Sequence, residues 1–115
     1  MNVRLQFGAL TGLAIFALAG LVTTAMAQDA TVRLSIKDHR FQPSEVRVPA
    51  GKPVTIEVRN LDTTPAEFES KTLRVEKVIA GGASVIIKVR ALSAGRYRFF
   101  DDYHEDTTEG YLVVE

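Results

Sequence analysis

Two residue types in this chain suit ion chemistry: its two histidines, His39 and His104, and its carboxylates. His104 sits in a polar run, Asp101 to Gly110, that holds five acids beside it. Imidazole is the commonest metal ligand among side chains, and carboxylate oxygen suits hard cations. A second acidic pair, Glu67 and Glu69, is two residues apart, so in an extended segment both face one side. Other chemistries lack their residues. There is no cysteine, hence no thiolate ligand and no disulfide. No Ser-His-Asp arrangement stands out. Gly81-Gly82 reads as a turn rather than a phosphate loop. Each candidate also has a plain structural reading. Glu67 and Glu69 are then solvated edge charges, Asp101 a turn residue, His39 a half-exposed loop side chain, and Glu109 a strand-flanking acid.

The elements that would position these residues are strands. Val32, Leu34 and Ile36 alternate with Arg33, Ser35 and Lys37, the period of a half-buried strand. The same alternation recurs at Val46 and Val48, at Val54, Ile56 and Val58, and at Val85, Ile87 and Val89. Tyr97 and Phe99 head a further strand, and Tyr111 to Glu115 closes the chain. Pro49-Ala50-Gly51-Lys52, Ala80-Gly81-Gly82 and Ser93-Ala94-Gly95 carry turn residues between them. Glu67 to Val78 fits either extended strand or partial helix, since it holds good helix formers. About seven short strands with regular turn signals predict an all-β antiparallel sandwich of Greek-key type. In such a sandwich the loop at 101–110, the 67–69 segment and the loop after the first strand, with His39, can meet at one end. Loops on a rigid scaffold commonly carry function.

The first 27 residues read as a signal peptide. Arg4 is the single charge before Asp29, and an apolar run of 16 residues spans Phe7 to Val22. Ala25-Met26-Ala27 supplies the small residues of a cleavage site. The run is short for a membrane span, which needs about 20 residues. The expected organisation is therefore a leader over 1–27 and one domain over 28–115, exported to a periplasm. Loss of Arg4 leaves 13 basic residues against 14 acidic ones, which gives no basic patch for nucleic acid.

Several segments together resemble cupredoxins: Phe41-x-Pro43, Val46-x-Val48-x-x-Gly51-x-x-Val54, a strand ending in Asn60, and Gly95-x-Tyr97-x-Phe99-Phe100 before the last loop. The likeness covers 31–115. More narrowly, Thr64 to Ser70, Glu76-Lys77 and Tyr97 to His104 resemble the cupredoxin-like periplasmic component of bacterial ferrous-iron uptake systems. That resemblance implies a partnership with a second periplasmic iron-binding protein and an inner-membrane iron permease, with ferroxidase-like oxidation of iron before transport. It also implies where ligands stand. The first histidine of a blue-copper site falls on or near Glu67, its cysteine on Asp101, its second histidine on His104, and its methionine on Glu109.

A blue-copper site needs a thiolate, so these exchanges exclude one. A histidine with carboxylates suits non-haem iron, manganese or copper(II). Anionic oxygens favour ferric over ferrous ion, because the extra positive charge gains more from each of them. The expected ligand set is Glu67, Asp101 and His104, with Glu69, Glu109 and His39 as further candidates, and the expected ion is iron or copper. A copper(II)-binding protein and a metal-free interaction module are the competing readings.

Overall fold

The alternating segments form strands, and among the described residues nine strands pack as two facing sheets. The computed structural model describes residues 29–115, so the expected leader over 1–27 lies outside the described residues. In chain order the strands are β1 (Ala30–Lys37), β2 (Arg40–Gln42), β3 (Glu45–Val48), β4 (Val54–Asn60), β5 (Ala66–Ser70), β6 (Val75–Ile79), β7 (Ser84–Val89), β8 (Gly95–Asp101) and β9 (Glu109–Val114). One sheet runs β2-β1-β4-β7 and the other β3-β9-β8-β5-β6. The expected all-β sandwich is therefore present.

Three details differ from expectation. The sheets are mixed, because β1 pairs with β4 and β3 with β9 in parallel. The chain leaves the first sheet after β2, and β3 joins the second sheet beside the last strand. β2 is a strand of three residues, too short for alternation to mark it. The 67–78 segment, open in sequence between extended strand and partial helix, is strand: β5 and β6 pair from Ala66↔Ile79 to Ser70↔Val75. Burial decides that contest. Ala66, Phe68 and Ser70 point into the core with period two, and tertiary packing overrides weak helix propensity.

The core lies between the sheets. Leu34, Ile36, Val54, Ile56 and Val58 meet Phe68, Phe99 and Leu112 across it. Phe99 stands at its centre, with its ring centroid 4.8 Å from Phe41 and 5.2 Å from Phe68. Such aromatic contacts add about 0.5–1.5 kcal/mol each beyond area burial. Gly110 completes this packing, since a Cβ there would stand 2.6 Å from the Phe99 ring and from the Ser44 carbonyl oxygen. Phe100 is buried on the other face of β8, with the Arg98 guanidinium 4.5 Å above its ring.

Candidate metal centre

The loops at one end of the sandwich bring the two histidines together. His39 lies in the turn between β1 and β2. The pairing Lys37↔Arg40 leaves Asp38 and His39 as a two-residue loop, and both have positive φ, 52° and 58°. That is the type I′ hairpin geometry, which favours glycine at its second position. A side chain in the left-handed region costs roughly 1–2 kcal/mol.

Asp62 offsets this cost. Its Oδ1 accepts the amide of Asp38 at 2.7 Å and its Oδ2 the amide of His39 at 2.9 Å. The parallel register Ile36↔Asn60 sets the 38–39 turn beside residue 62. Asn60, fully buried, fixes that loop in turn: its Oδ1 accepts the Asp62 amide at 3.0 Å, and its Nδ2 donates to the Thr64 carbonyl at 2.8 Å. From the other side, the buried Thr108 hydroxyl donates to the His39 carbonyl. Burial acts to raise the Asp62 pKa. The two amide donors, together with the charges of His39 and Lys37, outweigh it, and the carboxyl ends below its ordinary value.

His104 comes from the loop between β8 and β9. Asp101, only 1% exposed, sets it in place. Its Oδ1 accepts the amides of Glu67 at 2.9 Å and Tyr103 at 3.0 Å, and its Oδ2 lies 3.1 Å from His104 Nδ1. An ionised carboxylate only accepts, so the Nδ1–H donates to Asp101 Oδ2 and, in the neutral ring, Nε2 is the nitrogen left for a ligand. A carboxylate behind an imidazole fixes the tautomer and raises ring basicity in metal sites.

The centroids of the His39 and His104 rings lie 4.0 Å apart, tilted by 34°. Both side chains are partly open, at 43% and 35% exposure. The His39 Nδ1 lies 3.8 Å from Asp62 Oδ2, so each ring has an aspartate on its Nδ1 side. Two nitrogen donors thus share one small space at the rim of the sandwich.

The expected acids divide between this end and the sheet surface. Asp101 supports His104 and has both oxygens engaged. Glu67 donates its amide to Asp101, while its side chain joins Glu69 and Glu76 on the outer face of β5 and β6. Among the described residues these three acids form the one group of three or more potential ligands whose oxygens all lie within 4.8 Å. Desolvation, the Asp102 side chain and the charges of Glu76, Asp102 and Glu69 push the Glu67 pKa up. Glu109 takes the Arg98 guanidinium at 3.1 Å, next to Glu105 on the same arginine at 3.1 Å. Arg98 is pushed further up in pKa: burial opposes the shift, but bonds to these two glutamates win.

Sequence reasoning passed over Asp62, Thr108 and the place of Glu76. The parallel β1–β4 register, a long-range fact, and the local hairpin pairing Glu69↔Glu76 would have found two of them.

Comparison with known proteins agrees with this architecture. A family model described as a cupredoxin-like domain matches residues 9–114. An uncharacterized protein of Rickettsia prowazekii (strain Madrid E) is 39% identical over 83 residues, which covers 72% of this chain. This chain spans 66% of that protein's length. Among solved structures, the blue copper protein auracyanin A of Chloroflexus aurantiacus matches with a TM-score of 0.66 at 18% identity, covering 76% of this chain and all of that one. The metal-binding domain of a Cu(I)-exporting P-type ATPase of Streptococcus pneumoniae D39 gives 0.68 at 14% identity, with 79% and 91% covered. Amicyanin of Paracoccus versutus gives 0.58 at 18% identity, with 79% and 85% covered. At these identities the likeness is one of fold.

Proposed function

This chain belongs to the cupredoxin-like domain family, and from that premise we propose that it is a periplasmic metal-handling protein of a ferrous-iron uptake system. Its cargo is ferrous iron, taken up at the His39–His104 pair and passed to a periplasmic iron-binding partner and an inner-membrane permease. The observation that carries this reading is the pair itself: two imidazoles at 4.0 Å, each with an aspartate behind it, in a chain without cysteine.

A blue-copper centre does not fit this donor set. No thiolate exists, the buried Asp101 carboxylate is already shared among two amides and His104, and Glu109 is held by Arg98. Imidazole nitrogen with carboxylates close by suits iron. The Glu67–Glu69–Glu76 cluster is joined to the imidazole end through the Glu67 amide, which Asp101 accepts. Nearby negative charge favours the ferric product when bound iron gives one electron to dioxygen, because each anion attracts three charges more than two.

The second reading is copper(II), favoured by the two adjacent imidazoles, a ligand type that copper(II) accepts readily. Metal analysis separates the two. Protein purified with iron or copper supplied is assayed for bound metal, and ferrous oxidation in air is followed beside buffer. The iron reading expects ferrous binding and oxidation above the buffer rate that fall together in His104→Ala. Copper retained at one equivalent with no ferrous binding would replace it.

A further inference from the structure

Strand alternation sorts the charges of the sandwich by face. In the four-stranded sheet Arg33 and Lys37 of β1, Arg40 of β2, Arg59 of β4 and Lys88 of β7 all point away from the core. The registers Lys37↔Arg40, Ser35↔Arg59 and Thr55↔Lys88 keep them on that one outer face. Glu57 is the one acid among the outward residues of these strands, and Arg33 holds it at 3.2 Å. The outer face of the other sheet is mixed. There Glu45, Glu67, Glu69, Glu76 and Glu109 stand among Arg47, Arg96 and Arg98, and each of these arginines is in an ion pair. The even balance of 14 basic and 14 acidic residues therefore hides a basic face.

Three features of this face point to an anionic surface. Lys37 lies directly across from Arg40, and like charges at opposed positions weaken a sheet. Charges placed for solubility alone intersperse both signs, as on the other sheet, whereas this face sets five cations against one acid. Flanking charges moderate the excess without reversing it: within two residues of the strand ends stand Lys52 and Arg90 against Asp29, Asp38 and Asp62. The face also lacks the anchors of a protein interface, which centres on buried aromatic and aliphatic side chains. Ile86 is the one apolar residue among its outward strand positions, and none of them is aromatic. Cations spread over an open sheet, with little to insert into a pocket, suit a layer of phosphate headgroups.

We propose that the outer face of the four-stranded sheet docks on an anionic phospholipid bilayer. Each Lys or Arg near such a surface adds attraction, and salt screens the sum. Docked through this face, the sandwich lies along the bilayer. The Lys37–Arg40 pair closes the turn that carries His39, so that turn stands at one end of the docked face. A second copy of this chain is the weaker partner, because its mixed sheet would bring three arginines against these cations. The docking residues are not the metal donors, so vesicle binding and ferrous binding stand or fall separately.

The test is co-sedimentation of the purified protein with vesicles of phosphatidylcholine, pure or mixed with phosphatidylglycerol. The proposal expects binding to the mixed vesicles alone, lost as salt is raised. It expects affinity to fall about tenfold or more in the double variant Arg59→Glu, Lys88→Glu. The double variant Lys71→Glu, Arg96→Glu makes the same change in net charge from the five-stranded sheet and its hairpin turn, and should bind like wild type. Circular dichroism checks that both are folded, and Arg59→Glu alone against Lys71→Glu alone repeats the comparison at two exposed positions. Absence of binding at millimolar lipid overturns the proposal, as do equal binding to pure phosphatidylcholine, indifference to salt, and equal loss in the two double variants. Capture of polyglutamate without vesicle binding would assign the face to an acidic protein. Self-association that Arg59→Glu, Lys88→Glu abolishes, without vesicle binding, would assign it to a second copy. Either result overturns the proposal.

Discussion

The rings of His39 and His104 lie 4.0 Å apart, although one comes from the first hairpin turn and the other from the last loop. Neither position is held by its own element alone. Asp62 and Thr108 grip the backbone of His39, and Asp101 grips the ring of His104. These outside contacts hold His39 in a backbone region that costs roughly 1–2 kcal/mol.

Replacing His39 by glycine separates function from stability. Glycine enters the left-handed region without steric cost. His39→Gly is expected to leave unfolding free energy unchanged or to raise it by up to about 1 kcal/mol, while metal binding is lost. Urea denaturation beside a metal titration checks both. A variant destabilised by several kcal/mol that still binds metal would show His39 to be purely structural.

Asp62→Asn removes an acceptor that serves two amides, of which the new side chain can satisfy one. The expected cost is about 1–3 kcal/mol at neutral pH. The Asp62 pKa is lowered in the folded chain. Its contribution is therefore present above the ordinary carboxylate value, near 3.9, and fades as pH falls through the folded value. The gap between wild type and Asp62→Asn should narrow on acidification, as read by denaturation at neutral pH and in strong acid.

Glu67 carries the opposite sign. Its pKa is raised, first by desolvation and then by Asp102 and the neighbouring glutamates. Its charged form therefore opposes folding above the folded value, and the penalty disappears below the ordinary glutamate range. Glu67→Gln is expected to match or exceed wild type in stability at neutral pH, with the advantage vanishing near pH 3. Paired melting curves at the two pH values decide it.

Truncating Phe99 to alanine should cost about 3–5 kcal/mol, because the ring is fully buried between Phe41 and Phe68. Gly110→Ala should cost about 1–3 kcal/mol by crowding the same ring. Equilibrium unfolding measures each, and near-neutral values would contradict the central place of Phe99 in the core.

The sandwich was legible because its strands follow the two-residue period along most of their length, as at Val54, Ile56 and Val58. Asp101 and His104 were singled out by the cupredoxin resemblance, from their positions after Tyr97-x-Phe99, and the structure sets them 3.1 Å apart. The rest depended on distant pairings. Local periodicity carries no information that β1 runs parallel to β4, so Asp62 could not be placed under His39. Nor does spacing alone show that β5 and β8 turn Glu67 outward and Asp101 inward, which puts the expected ligands on two faces. The 67–78 segment stayed open between strand and partial helix because its Glu and Lys residues suit a helix, and only the core packing of Ala66, Phe68 and Ser70 decides for strand.

Anaerobic ferrous titration of wild type beside His39→Ala and His104→Ala tests the central claim most directly. The account predicts one ferrous ion bound by wild type and an affinity lower by at least about tenfold in each variant, since each removes one of few donors. Equal ferrous affinity in all three proteins, with the fold intact, would contradict it.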